Sequence, residues 1–347
     1  MVRKNKLVLM LLGLMTLSLI LSGCRQAKPT LYVYNWGDYI DEDILDEFEK
    51  ETGMKIVYDT FATNEDMYVK IKSGGSTYDI IFPSDYMLTR MREEGMLEKI
   101  DLSKIPNHKN IESRFMNTDY DLGNEYSLPY MWGTMGILYN TTMVDEEVTS
   151  WEILWDPKYS KNILMLDSQR DSIGAALLLL GHDLNTLDPN ELAEAGQLLK
   201  EQKPLVLAYV VDEGKDKMVA GEAALALVWS GEAAFARNEN SDLAYAIPRE
   251  GTNIWYDAMA IPKGAKNADG AHKFMDFLNR ADIAFRNADY TGYATPNGPA
   301  RAMLDPDISN DRAIYPEEED LINAQVFVNL GQTLKDYDRI WTEVKAH

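Results

Sequence analysis

The stretch "NIWYDAMAIP", residues 253–262, has the composition of a buried strand but carries an acid beside an aromatic pair. Trp255 and Tyr256 run directly into Asp257, and small apolar residues follow. Because alternate residues of a strand point to the same side, Trp255 and Asp257 are predicted to share one face. Asp257 is then either a structural acid satisfied by neighbouring backbone or part of a cage for a cation.

Outward from this strand, short apolar runs alternate with amphipathic helical segments, a pattern typical of an α/β fold. Strands are predicted at residues 31–36, 54–60, 78–84, 136–141, 162–167, 224–230, 243–248 and 255–262. Helices are predicted at 41–53, 188–204, 267–280 and along the C-terminal stretch from Glu317. In the second of these, Asp188 is the expected N-cap, Pro189 the first helical residue and Glu191 a capping-box partner.

The chain contains no flexible linker of low complexity, although it is longer than one typical domain. This predicts two lobes that are joined by strand-like crossings rather than by a tether. The candidate crossings lie near Met131–Gly136, near Asp257 and in the loop after Pro299. Ligands of such α/β lobes bind at the carboxyl ends of the strands.

The first residues read as a targeting segment. Three basic residues precede an apolar stretch, residues 7–21, that is too short to span a bilayer comfortably, and "LSGC" follows at 21–24. This ending resembles a bacterial lipobox, which implies that residues 1–23 are removed and that Cys24 receives a lipid. An ordinary signal peptide or an N-terminal anchor helix would be the alternatives. Since Cys24 is the sole cysteine, no intramolecular disulfide can form.

The net charge and the motifs argue against several classes of function. The net charge of −22 argues against nucleic acid and anionic membrane surfaces as partners, and is compatible with a cationic ligand. The four histidines lack metal-ligand spacing, and no nucleophile-elbow, phosphate-loop or dinucleotide motif occurs. We therefore expect no enzyme activity, no cofactor and no metal, although counting acids leaves a two-carboxylate hydrolase open.

Aromatic residues recur beside acids at the ends of the predicted strands. The residues concerned are Trp36, Asp38, Tyr39, Asp85, Tyr86, Asp167, Asp171, Trp229, Glu232, Trp255, Asp257 and Tyr293. Each has a structural alternative: a core tryptophan, an aspartate N-cap, or an acid favoured by a helix dipole. Asp167 and Asp171 would share a helical face if their helix began early. A ring face and a carboxylate together are what a desolvated ammonium requires.

Several of these segments resemble the spermidine/putrescine-binding proteins of bacterial ABC importers. The motifs run in the same order over nearly the whole mature chain and include "LYVYNWGDYI", "YDIIFPSDYM", "YSLPYMWGTMGILYN", "WSGEAAFAR", "WYDAMAIPKGAKN" and "GYATPNGPAR". The resemblance implies a two-lobe, type II periplasmic-binding-protein-like α/β fold that closes on its ligand by hinge motion. Lobe 1 would comprise residues 28–133 plus 257–303, and lobe 2 residues 134–256 plus 304–347.

The resemblance also implies a ligand site and partners. Its expected ligand-binding residues are Trp36, Asp38, Tyr39, Tyr86, Asp167, Asp171, Trp229, Glu232, Trp255, Asp257 and Tyr293. The implied protein is an extracytoplasmic, lipid-anchored monomer that delivers a polyamine to an ABC permease. Gly37 and Phe327 depart from the spermidine-preferring pattern, so the choice between spermidine and putrescine stays open. A binder of betaine, choline or a sugar on the same fold is the alternative.

Overall fold

The structure, a computed structural model, describes residues 28–74 and 78–347 as an α/β protein; the predicted targeting segment and Cys24 lie outside the described residues. Its strands are β1 (Thr30–Trp36), β2 (Lys55–Phe61), β3 (Ile80–Ile81), β4 (Leu97–Glu98), β5 (Ser127–Asn140), β6 (Ile163–Leu166), β7 (Val206–Val210), β8 (Leu225–Trp229), β9 (Leu243–Ala246) and β10 (Ile254–Pro262).

The α-helices of the described residues lie between and around these strands. They are α1 (Glu42–Thr52), α2 (Asn64–Lys72), α3 (Asp85–Glu93), α4 (Gln169–Leu179), α5 (Pro189–Gln202), α6 (Glu213–Val219), α7 (Ser230–Glu239), α8 (Ala268–Leu278), α9 (Ala281–Thr291), α10 (Gly298–Arg301), α11 (Pro306–Ser309) and α12 (Leu334–Ala346). None of the helices in this part of the chain is long and apolar enough to cross a membrane.

The strands follow the order β2-β1-β3-β10-β5-β8-β6-β7, so β10 and β5 occupy the middle of the path. β5 changes partner along its length: Thr134 pairs with Ile254 of β10, and the next residue, Met135, pairs with Trp229 of β8. A register shift interrupts β10 between Asp257 and Ala258. Such a bulge re-aims the side chain beside it.

Both halves of the strand path are covered on their two faces by apolar side chains. In the first half, Val33 packs into one core and its neighbour Tyr34 into the other. In the second half, Ile137 and Leu138 divide in the same way. Burial on both faces explains why these strands appear in the sequence as continuous apolar runs.

Local signals placed two predicted helices well. α1 ends at Gly53 in the left-handed conformation, and Asp41 caps its start by accepting from the Asp43 amide. Asp188 caps α5 and Pro189 opens it, as predicted. The Glu191 capping-box prediction is wrong, because the Thr186 hydroxyl, rather than the N-cap amide, donates to the Glu191 carboxylate.

Two other predicted elements, a strand and a helix, are longer than the elements that the structure shows. The strand predicted at 78–84 contracts to two residues, since Pro83 has no N–H to donate and Ser84 already begins the turn into α3. The helix expected from Glu317 forms a short 3₁₀ turn at Glu318–Leu321 and becomes an α-helix only at Leu334–Ala346. Before it, Gln325 exchanges backbone hydrogen bonds with Thr252 and Ile254, which satisfies its amide and carbonyl outside a helix.

Candidate ligand-binding site

A cleft lies at the carboxyl ends of β1, β2 and β8 and beside β10, and residues from both halves of the strand path line it. Nine of the eleven predicted ligand-binding residues lie on its wall: Trp36, Tyr39, Tyr86, Asp167, Asp171, Trp229, Trp255, Asp257 and Tyr293. They are contributed by chain segments more than 250 residues apart in sequence, since Trp36 ends β1 and Tyr293 follows α9. Trp255 and Asp257 share one face of β10, as predicted.

Asp257 lies at the bulge of β10 and is buried. The Ser84 hydroxyl donates to its Oδ1 at 2.6 Å, and the Tyr39 hydroxyl donates to its Oδ2 at 2.8 Å. Burial raises the pKa of Asp257 to about 7, although the two hydroxyl donors act in the opposite direction. The carboxyl group is therefore held in place and is balanced between its neutral and charged forms near neutral pH.

Asp171 is the second buried acid on the wall, in the first turn of α4. It accepts from the Ser168 hydroxyl at 2.5 Å and from the indole N–H of Trp229 at 3.3 Å. Burial raises the pKa of Asp171 as well. The expectation that Asp167 and Asp171 share a helical face is wrong, because α4 begins only at Gln169.

Aromatic rings form much of the remaining wall. Tyr293 stands edge-on to Trp255 and to Tyr39, with centroid distances of 5.6 Å and 5.0 Å. The indole N–H of Trp36 donates to the Phe82 carbonyl at 2.8 Å, which fixes its ring. Phe327 stands edge-on to Tyr86 at 6.1 Å. These rings offer apolar faces and edges between the acids.

Two acids of the predicted site are already paired with lysines of the chain. Asp38, which does not line the cleft, contacts Lys215 Nζ at 2.9 Å. Asp167 contacts Lys345 Nζ at 2.6 Å, and that ammonium also lies 4.8 Å from the ring centre of Tyr209. Neither aspartate caps a helix through its side chain, which was the structural alternative for both.

Glu232 does not line the cleft either. It is buried in the first turn of α7, and its Oε2 has no hydrogen-bond partner among the described residues. Burial raises the pKa of Glu232 well above its usual range, and the Asp212 and Asp38 charges add to this effect while Lys215 opposes it.

Four charged residues of the wall, Asp85, Glu65, Arg170 and Asp212, are absent from the predicted ligand-binding set. Asp85 accepts from the amides of Tyr86 and Tyr256, and burial raises its pKa to about 8. Glu65 accepts from the Tyr86 hydroxyl at 3.1 Å. The motif "PSDYM" already contained Asp85 beside Tyr86, so that signal was available, whereas nothing in the sequence distinguishes Glu65 from other first-turn acids.

The third missed residue is Arg170, a buried cation between Asp167 and Asp171 in sequence. It donates to the Asn185 side chain at 2.9 Å and to the Val328 carbonyl at 3.2 Å. Its guanidinium carbon lies 4.3 Å from the ring centre of Phe327. Phe327 therefore serves as the stacking partner of Arg170 at this end of the cleft.

Six carboxyl groups and one guanidinium face the cleft, namely those of Glu65, Asp85, Asp167, Asp171, Asp212, Asp257 and Arg170. Fixed acids between aromatic rings are suited to an organic cation whose amines are separated by apolar carbons. Within residues 28–74 and 78–347, no group of three or more histidine, cysteine or acidic side chains is arranged to hold a metal ion.

Known proteins are similar to this chain in sequence. Residues 43–316 match the family described as bacterial extracellular solute-binding protein. The spermidine/putrescine-binding periplasmic protein of Escherichia coli strain K12 is 40% identical over 319 residues, which cover 91% of this chain and 92% of the relative.

Solved structures are similar as well. A putative spermidine/putrescine ABC transporter protein from Listeria monocytogenes superposes with a TM-score of 0.89 at 45% identity, covering 92% of this chain and 99% of that one. The spermidine/putrescine substrate-binding protein PotD of Streptococcus pneumoniae gives 0.79 at 41% identity, with 92% and 99% covered. The predicted type II periplasmic-binding-protein-like fold is thereby confirmed. The chain belongs to the family of bacterial extracellular solute-binding proteins, and its predicted resemblance to the spermidine/putrescine-binding members is confirmed.

Proposed function

We propose that this protein binds a polyamine, spermidine or putrescine, outside the cytoplasm and delivers it to an ABC import permease. The observation that carries the proposal is the buried Asp257 carboxyl group, oriented by Ser84 and Tyr39 and flanked in the cleft by the rings of Trp255 and Tyr293. The proteins similar in sequence and structure are named for the same ligands.

The proposed binding mode assigns each wall group a task. Asp257 pairs with an amine near the centre of the ligand, and Asp171 pairs with an amine toward Arg170. Trp255 and Trp229 pack against the methylene groups. A charge-assisted hydrogen bond contributes about 1.5–3 kcal/mol and a ring face over an ammonium about 0.5–2 kcal/mol, so both terms are large enough to matter.

The chain is proposed to work as two lobes, 28–133 plus 257–303 and 134–256 plus 304–347, that close over the ligand. The change of partner along β5 and the bulge at Asp257 support hinges at these positions. At the C-terminal boundary, Leu304, Ile314 and Tyr315 pack in the same core as Leu31. Because of this packing, we propose that the chain crosses from lobe 1 to lobe 2 for the last time after Tyr315 rather than at residue 304.

A lipid anchor at Cys24 and a monomeric state complete the proposal. The "LSGC" motif supports the first. Expression in bacteria with a radiolabelled fatty acid should label the wild-type protein but not Cys24→Ser, and equal labelling of both would contradict the anchor. Light scattering of the soluble form should give the mass of one chain.

Calorimetric titration tests the ligand. The soluble protein from Arg25 onward is unfolded, washed and refolded to remove any bound amine, and is then titrated with spermidine, putrescine, choline and glucose. We expect saturable binding of at least one polyamine and no heat of binding from choline or glucose. Binding of choline or glucose without either polyamine would contradict the proposal and would point to another solute on this fold.

A further inference from the structure

Lys215 joins the two halves of the strand path beside one end of the cleft. It lies in α6, whose neighbours belong to the second half of the strand path, and its Nζ contacts Asp38, in the turn after β1, at 2.9 Å. The Lys215 side chain is only 12% exposed, although the Asp38 side chain is 72% exposed. The Lys215 side chain is therefore mostly buried rather than extended into solvent.

Asp38 is the carboxylate that lies within ion-pair distance of this ammonium. Besides Asp38, the charges of Glu232 and Asp212 act on Lys215. Burial lowers the pKa of Lys215, but the hydrogen bond to Asp38 and these neighbouring charges outweigh it and raise the pKa. The buried Glu232 contributes an oxygen, Oε2, that has no hydrogen-bond partner in the described part of the chain. One acceptor of this buried acid is therefore unused in the structure.

Tyr293 connects these acids to the centre of the cleft. Its ring packs directly against Gly231, one residue before Glu232, where an added Cβ would lie 2.2 Å from a ring carbon. Tyr293 also lines the cleft together with Asp257, and its ring stands edge-on to that of Tyr39, whose hydroxyl donates to Asp257. A linear polyamine extending from Asp257 along Tyr293 would run toward this end of the cleft.

Gly37 and the Asp212 side chain approach each other closely at this end of the cleft. A Cβ at Gly37 would lie 2.7 Å from Oδ2 of Asp212, across the cleft. A second ammonium placed beside that of Lys215 would have to share the same carboxylates. Two ammoniums competing for the same acids would also repel each other.

We propose that Lys215 is a specificity-determining residue whose ammonium, paired with Asp38 at the Gly37–Asp212 end of the cleft, occupies the place of an end amine, so that the protein prefers a diamine to a triamine. This inference rests on the proposed polyamine function. A triamine that reaches this end must displace a tethered ammonium, which has a high effective concentration. A diamine that spans only from Asp257 toward Asp171 leaves Lys215 in place.

The test measures the ratio of the dissociation constants for spermidine and putrescine in Lys215→Met, which keeps the apolar stem and removes the charge. Lys217→Met is the matched control, since Lys217 lies in the same helix and pairs at 2.9 Å with Glu222, outside the cleft. The ratio is unaffected by any uniform loss from breaking the Lys215–Asp38 pair. Thermal unfolding shows whether each variant is folded. If Lys215→Met folds poorly, the ratio is measured in Lys215→Gln instead.

Wild-type protein and Lys217→Met should bind putrescine more tightly. Both Lys215 variants should shift the ratio toward spermidine by about tenfold or more. An unchanged ratio in folded Lys215 variants, or a wild-type preference for spermidine, would overturn the inference while leaving polyamine binding intact. Absence of binding by either amine in all four proteins would overturn the proposed function and the inference with it.

Discussion

The hydroxyl of Tyr39 donates a 2.8 Å hydrogen bond to the carboxyl group of Asp257, across 218 residues of sequence. Tyr39 follows β1 and Asp257 lies in the middle of β10, so the contact orients the central acid from a second element. The carbonyl of Tyr39 in turn accepts from the Tyr130 hydroxyl at 2.6 Å. The central acid is therefore held before any ligand arrives, which lowers the cost of ordering it upon binding.

The first prediction concerns the charge of Asp257. Asp257→Asn should weaken polyamine binding by about 10- to 100-fold, because a charge-assisted hydrogen bond of about 1.5–3 kcal/mol is lost. Calorimetric titration measures the change. Asp269→Asn is the control: it removes the same charge from a side chain that is 79% exposed and pairs with Lys104. Equal affinities of Asp257→Asn and Asp269→Asn would remove Asp257 from the site.

The second prediction is that affinity depends on pH. Burial raises the pKa of Asp257 to about 7 and that of Asp85 to about 8. An ammonium pairs with the ionised carboxylate, so binding favours ionisation and releases protons. The dissociation constant should therefore rise as the pH falls from 8 to 6.

Titrations in two buffers of different ionisation enthalpy count the protons released. Asp257→Asn should release fewer protons than wild type, because its side chain no longer titrates. An affinity that is independent of pH between 6 and 8 would show that the wall acids are already charged in the free protein.

The third prediction is that the unliganded protein is more stable at pH 6 than at pH 8.5. Asp85 and Asp257 have folded-state pKa values above their unfolded values, so the folded state binds more protons. Their stabilising contribution is fully present below about pH 4 and is lost as the pH rises through 7 and 8. The difference between the two pH values should be on the order of a few kcal/mol.

Denaturant unfolding of refolded, ligand-free protein at the two pH values measures this difference. Asp257→Asn should be less sensitive to pH than wild type and more stable than wild type at pH 8.5. Higher stability of the wild type at pH 8.5 than at pH 6 would contradict the assignment of raised pKa values to these buried acids.

The fourth prediction concerns the close approach at Gly37. Gly37→Ala should weaken ligand binding, because the new Cβ would lie 2.7 Å from Oδ2 of Asp212 and would displace that carboxylate, which lines the cleft. In an Asp212→Ala background the same substitution should have little further effect, since the oxygen it meets is gone. Additive losses in the double variant would show that Gly37 acts through another contact.

Much of the cleft wall could be predicted from the sequence, because the periodicity of a strand or helix fixes the relative positions of residues that lie close together on it. Trp255 and Asp257 had to share a face once they lay in one strand, and Asp41 and Gly53 bounded α1 through local backbone hydrogen bonds. Local signals failed where distant partners intervened. The stretch around Gln325 pairs with Thr252 and Ile254 instead of continuing a helix.

By itself, the sequence determined the α/β class, the central strand and most of the residue types that line the cleft, because periodicity and caps depend on near neighbours. Only the tertiary structure decided how the acids are used. Asp38 pairs with Lys215 and Asp167 with Lys345, each partner lying more than 170 residues further along the chain. Asp257, by contrast, receives two hydroxyl donors and faces the cleft. An exposed acid and a buried one look identical in sequence, and their pairing and desolvation arise only when distant segments pack together.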